Sequence, residues 1–215
     1  TYAGNMSGAG GVNVNVTGGN TLNFTGTNTY TGGTNVAAGT LRGTTSNVQG
    51  AIFNNSTVNF SQNFNGTYAG NMSGGVNVNV TGGNTLSFTG TNTYSGGTTV
   101  SAGTLEGTTT SLQGNIRNNA TLAFNQATDG TFTGTITGTG DVDFTGAGRV
   151  AFANPQTIPG GIEVKAGQFR LNTTVTSNVV VESNGLLGGN GTINGNLVNS
   201  CFVAPGNSIG TVTVN

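Results

Sequence analysis

The chain has 215 residues, of which 40 are glycine, none is histidine and only 5% are charged, with a formal net charge of −1. An average soluble domain carries about 25% charged residues. The absence of histidine excludes His-based triads and His metal sites, the low charge argues against a nucleic-acid partner, and no apolar run approaches the roughly 20 residues that span a bilayer, so we expect no membrane insertion.

From its first residue the chain repeats itself. The segment from Thr1 to Gly8 recurs from Thr67 to Gly74, and residues 11–62 recur as 75–126 at a 64-residue offset, with about three quarters of positions identical. A third copy keeps the apolar positions while losing identity; its apolar members at this offset are Phe132, Ile136, Phe144, Val150, Phe152, Val164, Phe169 and Leu186. This indicates one structural unit built several times. We predict a single domain over 1–215 with repeats at 1–66, 67–130 and 131–194 and a partial one at 195–215.

Within each copy the local pattern is that of strands. Residues 76–80, 86–88, 122–124 and 132–136 alternate apolar and polar side chains, which is the two-residue period of a β-strand. Glycine pairs at 82–83, 96–97 and 188–189 punctuate them as turns. No window has the 3.6-residue apolar period, so we expect almost no helix.

The spacing of the apolar anchors indicates a solenoid. Phe88, Leu105 and Leu122 follow one another at intervals of 17 residues and other pairs of apolar anchors lie somewhat further apart, so a 64-residue copy corresponds to about three coils. We therefore predict an all-β, single-stranded parallel β-helix of about ten coils, with apolar residues inside, glycine at corners and asparagine side chains in ladders between coils. The predicted register points the side chains of Leu22, Leu86 and Val150 into the core. It points those of Asn13, Asn77 and Asp141 outward.

Two longer segments carry a recognisable family pattern. Residues 83–105 read GNTLSFTGTNTYSGGTTVSAGTL, and residues 19–41 repeat them with few changes. Residues 156–169 are a degenerate third version. The shared nTYtGGTtVxaGTL pattern resembles the autotransporter passenger-associated strand repeat, and the tail from Phe202 to Val214 resembles a segment found near the end of many passengers.

This resemblance implies a right-handed parallel β-helix on the surface of a Gram-negative bacterium. Passengers of this kind include adhesins, aggregation factors, toxins and proteases, and the repeat is usually the stalk. We therefore expect a secreted or surface-exposed structural stalk or adhesive scaffold that is not an enzyme and has no cofactor. Its expected partners are surface molecules of a host or of neighbouring cells, or a second copy of itself.

The strongest catalytic candidates are Asp141 and Asp143. On a strand, side chains at i and i+2 share a face about 7 Å apart, within the roughly 6.5–9.5 Å spacing of the carboxylates of inverting glycosidases. The repeat favours a different interpretation, because these positions match Asn77 and Asn79. We expect both aspartates to be outward polar residues of an alternating strand, and we assign no catalytic, cofactor-binding or metal-ligating residue.

Other candidates have equally ordinary interpretations. Arg149, Lys165 and Arg170, near Glu163, form either a sugar or carboxylate contact or solvated surface charge. Cys201 is expected to be a small buried core residue. Residues 138–141 resemble a calcium-binding nonapeptide, but that motif needs tandem copies and only one occurs. Thr-x-Thr steps suggestive of an ice-binding face occur only about once per copy, so β-propensity explains them better; they are Thr25/Thr27/Thr29, Thr89/Thr91/Thr93 and Thr133/Thr135/Thr137.

Two other functions stay open from the sequence. Unpaired strand edges at the ends of a solenoid favour head-to-tail association, which would make the chain a subunit of a filament. A polysaccharide-cleaving β-helix enzyme built on Asp141 ranks third.

Overall fold

The computed structural model describes residues 1–8, 13–75, 77–201, 203–205 and 211–215. In these residues the chain is all-β without helix, and its parallel strands stack as a β-solenoid of about ten turns. This confirms the predicted fold class. The chain divides into two compact units, Thr1–Leu105 and Glu106–Asn215.

The first unit contains three main parallel sheets, β2-β5-β7-β10, β3-β6-β8-β11-β13 and β9-β12-β14, and the pair β1-β4. The strands, of which β14 reaches past the unit boundary, are β1 (Ser7–Gly8), β2 (Val14–Val16), β3 (Thr21–Asn23), β4 (Thr29–Tyr30), β5 (Thr34–Val36), β6 (Thr40–Gly43), β7 (Ile52–Asn54), β8 (Thr57–Ser61), β9 (Gly66–Tyr68), β10 (Met72–Ser73), β11 (Val78–Thr81), β12 (Thr85–Phe88), β13 (Thr98–Val100) and β14 (Thr104–Gly107).

The second unit contains the parallel sheets β16-β19-β22-β25-β28, β17-β20-β23-β26-β29 and β21-β24-β27-β30, and the pair β15-β18. Its strands are β15 (Ile116–Asn118), β16 (Thr121–Phe124), β17 (Gly130–Phe132), β18 (Ile136–Thr137), β19 (Asp141–Phe144), β20 (Arg149–Phe152), β21 (Gln156–Thr157), β22 (Ile162–Val164), β23 (Gly167–Leu171), β24 (Thr174–Thr176), β25 (Val179–Val181), β26 (Gly185–Gly189), β27 (Thr192–Asn194), β28 (Leu197–Asn199), β29 (Val203–Pro205) and β30 (Thr213–Val214).

Aromatic rings in contact with one another occupy the core of each unit. In the first unit the ring of Phe60 lies 5.2 Å from that of Tyr68 and 5.6 Å from that of Phe88. In the second, the Phe144 ring lies 5.7 Å from Phe124 and 4.8 Å from Phe169 in stacked geometry. Each pair stabilises the fold by about 0.5–1.5 kcal/mol beyond its area burial, so adjacent coils are tied together by side chains as well as by their backbones.

The predicted inward and outward sets are largely as expected. Leu86 and Val150 are buried, and Asn13 and Asn77 are exposed. Leu22 is only partly buried. Val76, which begins one predicted strand, lies outside the described residues, as do Phe202 and residues 206–210 of the predicted passenger tail.

One core position of the third copy departs from the repeat alignment. The 64-residue offset aligns Leu186 with the core residue Leu122, but Leu187 is the fully buried residue, pairing with Phe169, while Leu186 is half-buried beside Gln168. The coil from Phe169 to Leu187 is one residue longer than the coil spacing predicted from Phe88, Leu105 and Leu122. A shift of one residue turns every side chain of a strand to the opposite face.

The sequence repeat and the coil have different lengths. Leu22 pairs with Leu41, which stacks on Val58 and then Val78, so three coils carry the chain from Leu22 only as far as Val78. Leu86, the repeat equivalent of Leu22, lies further along the chain and belongs to the neighbouring sheet of β9 and β12. A 64-residue copy is therefore longer than three coils. Within the first unit, equivalent residues of the first two copies such as Leu22 and Leu86 therefore occupy different sheets.

Amide side chains join the coils differently from the predicted ladders. Asn54 Nδ2 donates to the carbonyl oxygen of Asn77 at 3.2 Å, and Asn118 Nδ2 donates to that of Asp141 at 2.7 Å. Buried Gln156 accepts from the amide of Ile136 at 2.7 Å. Most amides thus bond to the backbone of an adjacent coil and satisfy polar groups at its corners.

Candidate functional site

The two catalytic candidates of the third copy, Asp141 and Asp143, lie on the strand β19. Val142 and Phe144 point into the core and are buried, so Asp141 and Asp143 project from the opposite face of the sheet. On that face Asp143 lies between Ala123 of β16 and Glu163 of β22. The i, i+2 geometry expected for the two aspartates is therefore present.

Asp143 differs from the exposed polar residue that the repeat predicts. Its side chain is only 10% exposed, because the Lys165 ammonium sits against it with Nζ 2.6 Å from Oδ2. The same ammonium lies 3.1 Å from Glu163 Oε2. The second oxygen of Asp143, Oδ1, is buried without a hydrogen-bond partner. Asp141 remains half-exposed and accepts a hydrogen bond from Thr121 Oγ1 at 3.3 Å.

The charges of this cluster shift one another. Burial raises the pKa of Asp143, and the Lys165 ammonium offsets this only in part. Burial of Lys165 acts to lower its pKa, but hydrogen bonds to Asp143 and Glu163 outweigh it and raise that pKa. The pair is thus held as an ion pair on the outer face of the sheet. The ion pair links β19 to the end of β22, and the Asp143 carboxylate already has Lys165 as its partner.

We expect Lys165→Met to lower the free energy of unfolding by about 1–3 kcal/mol at neutral pH, because it leaves a buried carboxylate without its partner. A carboxyl group whose pKa is raised in the folded state destabilises the fold as pH rises through that pKa. The loss in the variant should therefore shrink as pH falls and Asp143 is protonated. Urea denaturation of parent and variant across pH 3–8 measures this.

The matched control is the double variant Lys165→Met, Asp143→Asn, which removes both charges. We expect it to recover most of the stability, since the neutral amide is far cheaper to bury than the carboxylate. A double variant as unstable as Lys165→Met would contradict the assigned ion pair.

The other candidate cations do not form one site. Arg149 pairs with Asp129, and Lys165 pairs with Asp143 and Glu163. Arg170 lies on β23, opposite Ala151 and Gly188. Their proximity in sequence therefore does not become one carboxylate- or sugar-binding cluster.

The remaining sequence candidates are Cys201, the calcium-like segment at residues 138–141 and the Thr-x-Thr steps. Cys201 is partly exposed and free, so its prediction as a buried core residue is wrong. No group of three or more His, Cys, Asp or Glu residues that could hold a metal is found in the described part of the chain. At two of the Thr-x-Thr corners a backbone amide of Thr27 or Thr91 donates to the side-chain oxygen of Asn5 or Asn71 at 2.8–2.9 Å.

A groove in the first unit was not predicted. It has a volume of about 430 Å³ and is lined by residues of three coils, including Asn23, Arg42, Ser61, Asn63 and Phe64. The sequence contains one signal that points to it: Arg42 is the only charged side chain among residues 1–105. This signal alone does not locate the groove, because the lining residues are spread along the chain from Asn23 to Phe64.

The fold and the repeat define a class of protein, namely a parallel β-solenoid assembled from internal repeats. The family model of the passenger-associated-transport-repeat matches residues 14–42 and 78–106. The chain therefore carries two copies of this repeat, and its solenoid is consistent with an autotransporter passenger β-helix. Neither curated proteins nor solved structures include a match to the chain. The described residues contain no apolar helix of membrane-spanning length.

Proposed function

We propose that this chain is a segment of an exported autotransporter passenger that serves as a structural stalk and contact surface outside a Gram-negative cell. The observation that carries this proposal is the passenger-associated-transport-repeat at residues 14–42 and 78–106, within a stack of parallel coils. The repeat is a structural one and not an enzyme family.

The physical character of the coils supports a scaffold. Strands bond in parallel to the equivalent strand of the adjacent coil, from the pair β1 and β4 to the pair β26 and β29, so backbone pairing joins the described coils of each unit. Outward positions are mainly Asn, Thr and Ser, which need no specific partner. Such a stack presents a polar surface, and Asp143 is held in an ion pair. We therefore propose a role without catalysis. Head-to-tail association of the coils stays a prediction.

Export is tested with an epitope tag inserted between Gly18 and Gly19 in the native full-length gene. Both glycines are exposed and a Cβ placed on either would have no atom within 4 Å, so the insertion should be tolerated. We expect antibody labelling and protease cleavage of the tag on intact cells, or its recovery from the medium. A tag found only in the cytosol, beside a cytosolic marker that is also protected, would contradict export.

A further inference from the structure

We propose that the Arg42 groove, formed by Asn23, Arg42, Ser61, Asn63 and Phe64, binds a carboxylate-bearing sugar residue. This assigns a ligand class to a surface that a structural stalk does not require. The proposed binding site involves residues of the first unit only. Whether it binds a sugar acid does not depend on whether the chain is exported.

The first observation is the charge of the groove. Residues 1–105 contain no Asp or Glu and only one Lys or Arg, which is Arg42. No salt bridge of the described residues involves it. An arginine that only made the surface soluble would not be expected to stand alone in a half of the chain otherwise free of charge. Its guanidinium is available for an external anion.

The second observation is how Arg42 is held. It lies on the outward face of β6, paired with Asn23 on one side and Asn59 on the other. Its Nη2 donates to Ser61 Oγ at 3.0 Å. This bond orients the guanidinium, which carries five N–H donors in all. The donors left over can take a carboxylate in the two-pronged geometry that arginine favours.

The third observation is the exposed ring of Phe64. It is 39% exposed, whereas the other groove aromatic, Phe24, is 3% exposed in the core. The backbone of Phe64 is anchored by buried Gln62, whose Nε2 donates to the Phe64 carbonyl oxygen at 3.3 Å. An aromatic ring on an anchored segment offers a flat apolar platform at low entropic cost. The apolar C–H face of a sugar ring fits such a platform, and Asn23, Ser61 and Asn63 offer partners to its hydroxyl groups.

The fourth observation comes from the internal repeat. About three quarters of residues 11–62 are identical in the second copy, yet five of the ten groove residues in that stretch differ, and so do Asn63 and Phe64 just beyond it at the same 64-residue offset. The second copy has Glu106 where the groove has Arg42, and Thr128 where it has Phe64. The fold therefore needs neither the arginine nor the phenylalanine. The groove combines the two features that the second copy lacks.

Together these features select the ligand. The single cation of the groove matches a ligand group that carries one negative charge. The planar guanidinium of arginine can donate to both oxygens of a carboxylate. A volume of about 430 Å³ lies within the range of roughly 300–1,000 Å³ of small-ligand sites. A sugar acid such as a hexuronate supplies the carboxylate, the hydroxyl groups and the apolar face in one residue.

The experiment titrates the purified chain by calorimetry with trigalacturonate and with its fully methyl-esterified form, which keeps the sugar and removes the charge. We expect binding of trigalacturonate that weakens at least tenfold on esterification and declines with added salt. Equal affinity for the two probes, or binding of neither, would overturn the proposal.

Substitutions taken from the second copy keep the test independent of folding. Arg42→Glu should weaken trigalacturonate binding at least tenfold, and Phe64→Thr several-fold, with an unchanged thermal transition because the second copy carries these residues. Arg117→Ala, at an exposed arginine of the second unit, is the matched control and should bind like the parent. Unchanged affinity in folded Arg42→Glu, or an equal loss in Arg117→Ala, would show that the charge at Arg42 does not make the site.

Discussion

Replacing Leu86 with aspartate is expected to cost more than about 4 kcal/mol in the free energy of unfolding, the range reached when a charge is buried without a partner. Leu86 is fully buried on β12, where its neighbour in the adjacent coil is Gly66. The first unit contains no cationic side chain other than Arg42, which lies on an outward face, so nothing inside the core can compensate a carboxylate. Urea denaturation followed by circular dichroism measures the loss.

The matched control is Asn77→Asp, which introduces the same carboxylate on the outside. Asn77 is exposed, and the third copy already has Asp141 at the equivalent position. We expect a change within about 0.5 kcal/mol, as for most surface substitutions. If Asn77→Asp unfolds the chain and Leu86→Asp does not, the inward and outward assignments are reversed.

Gly82→Ala is expected to destabilise the first unit by about 2–5 kcal/mol, combining backbone strain and overpacking. Gly82 has φ of 106°, which L-residues rarely adopt, and a Cβ there would lie 1.9 Å from the carbonyl oxygen of Gln62 in the adjacent coil. That oxygen belongs to the backbone and cannot rotate away. The expected loss is therefore a lower midpoint in urea or a lower thermal transition.

The adjacent glycine supplies the control for this prediction. A Cβ placed on Gly83 would have nothing within 4 Å, and the φ of Gly83 is not positive. We expect Gly83→Ala to change stability by less than about 1 kcal/mol, with any gain arising from a less flexible unfolded chain. Equal effects of the two substitutions would mean that the close approach at Gly82 does not constrain the coil.

The two pairs of substitutions both test how one coil stacks on the next. Leu86 tests the apolar interior of a coil, and Gly82 tests the distance between one coil and the next. Both effects depend on stacking and not on the strand alone. A repeat array distributes its stability over such neighbouring contacts, so a single break should weaken the coils on either side first.

The strands and the direction of most side chains could be predicted from the sequence, because both depend on a local period of two residues. Val78 and Val80 are buried on β11 and Phe88 on β12, as the alternation indicates. The absence of a helical period likewise predicts the all-β class. Since the 64-residue offset preserves these local patterns, it also locates core residues such as Phe144 and Phe152.

The sequence could not predict which residues of distant segments lie side by side. Coil length varies, because corners of different length join similar strands: the coil from Val58 to Val78 is longer than the coil from Leu41 to Val58. Such differences accumulate, so Leu186 is displaced from the core by one residue, and the first two copies place equivalent residues in different sheets. The local period of two residues contains no information about these accumulated differences in coil length.

The candidate sites, too, could be predicted only in part from the sequence. The i, i+2 spacing predicted that Asp141 and Asp143 share a face, but only stacking brings Lys165, which is distant in the chain, onto Asp143 and buries that carboxylate. The Arg42 groove likewise exists because Asn23, Arg42 and Ser61 are brought together by three successive coils. The alternation of a strand decides whether a side chain faces in or out. The lengths of the coils decide which side chains meet, and therefore where a charge is buried or left free for a ligand.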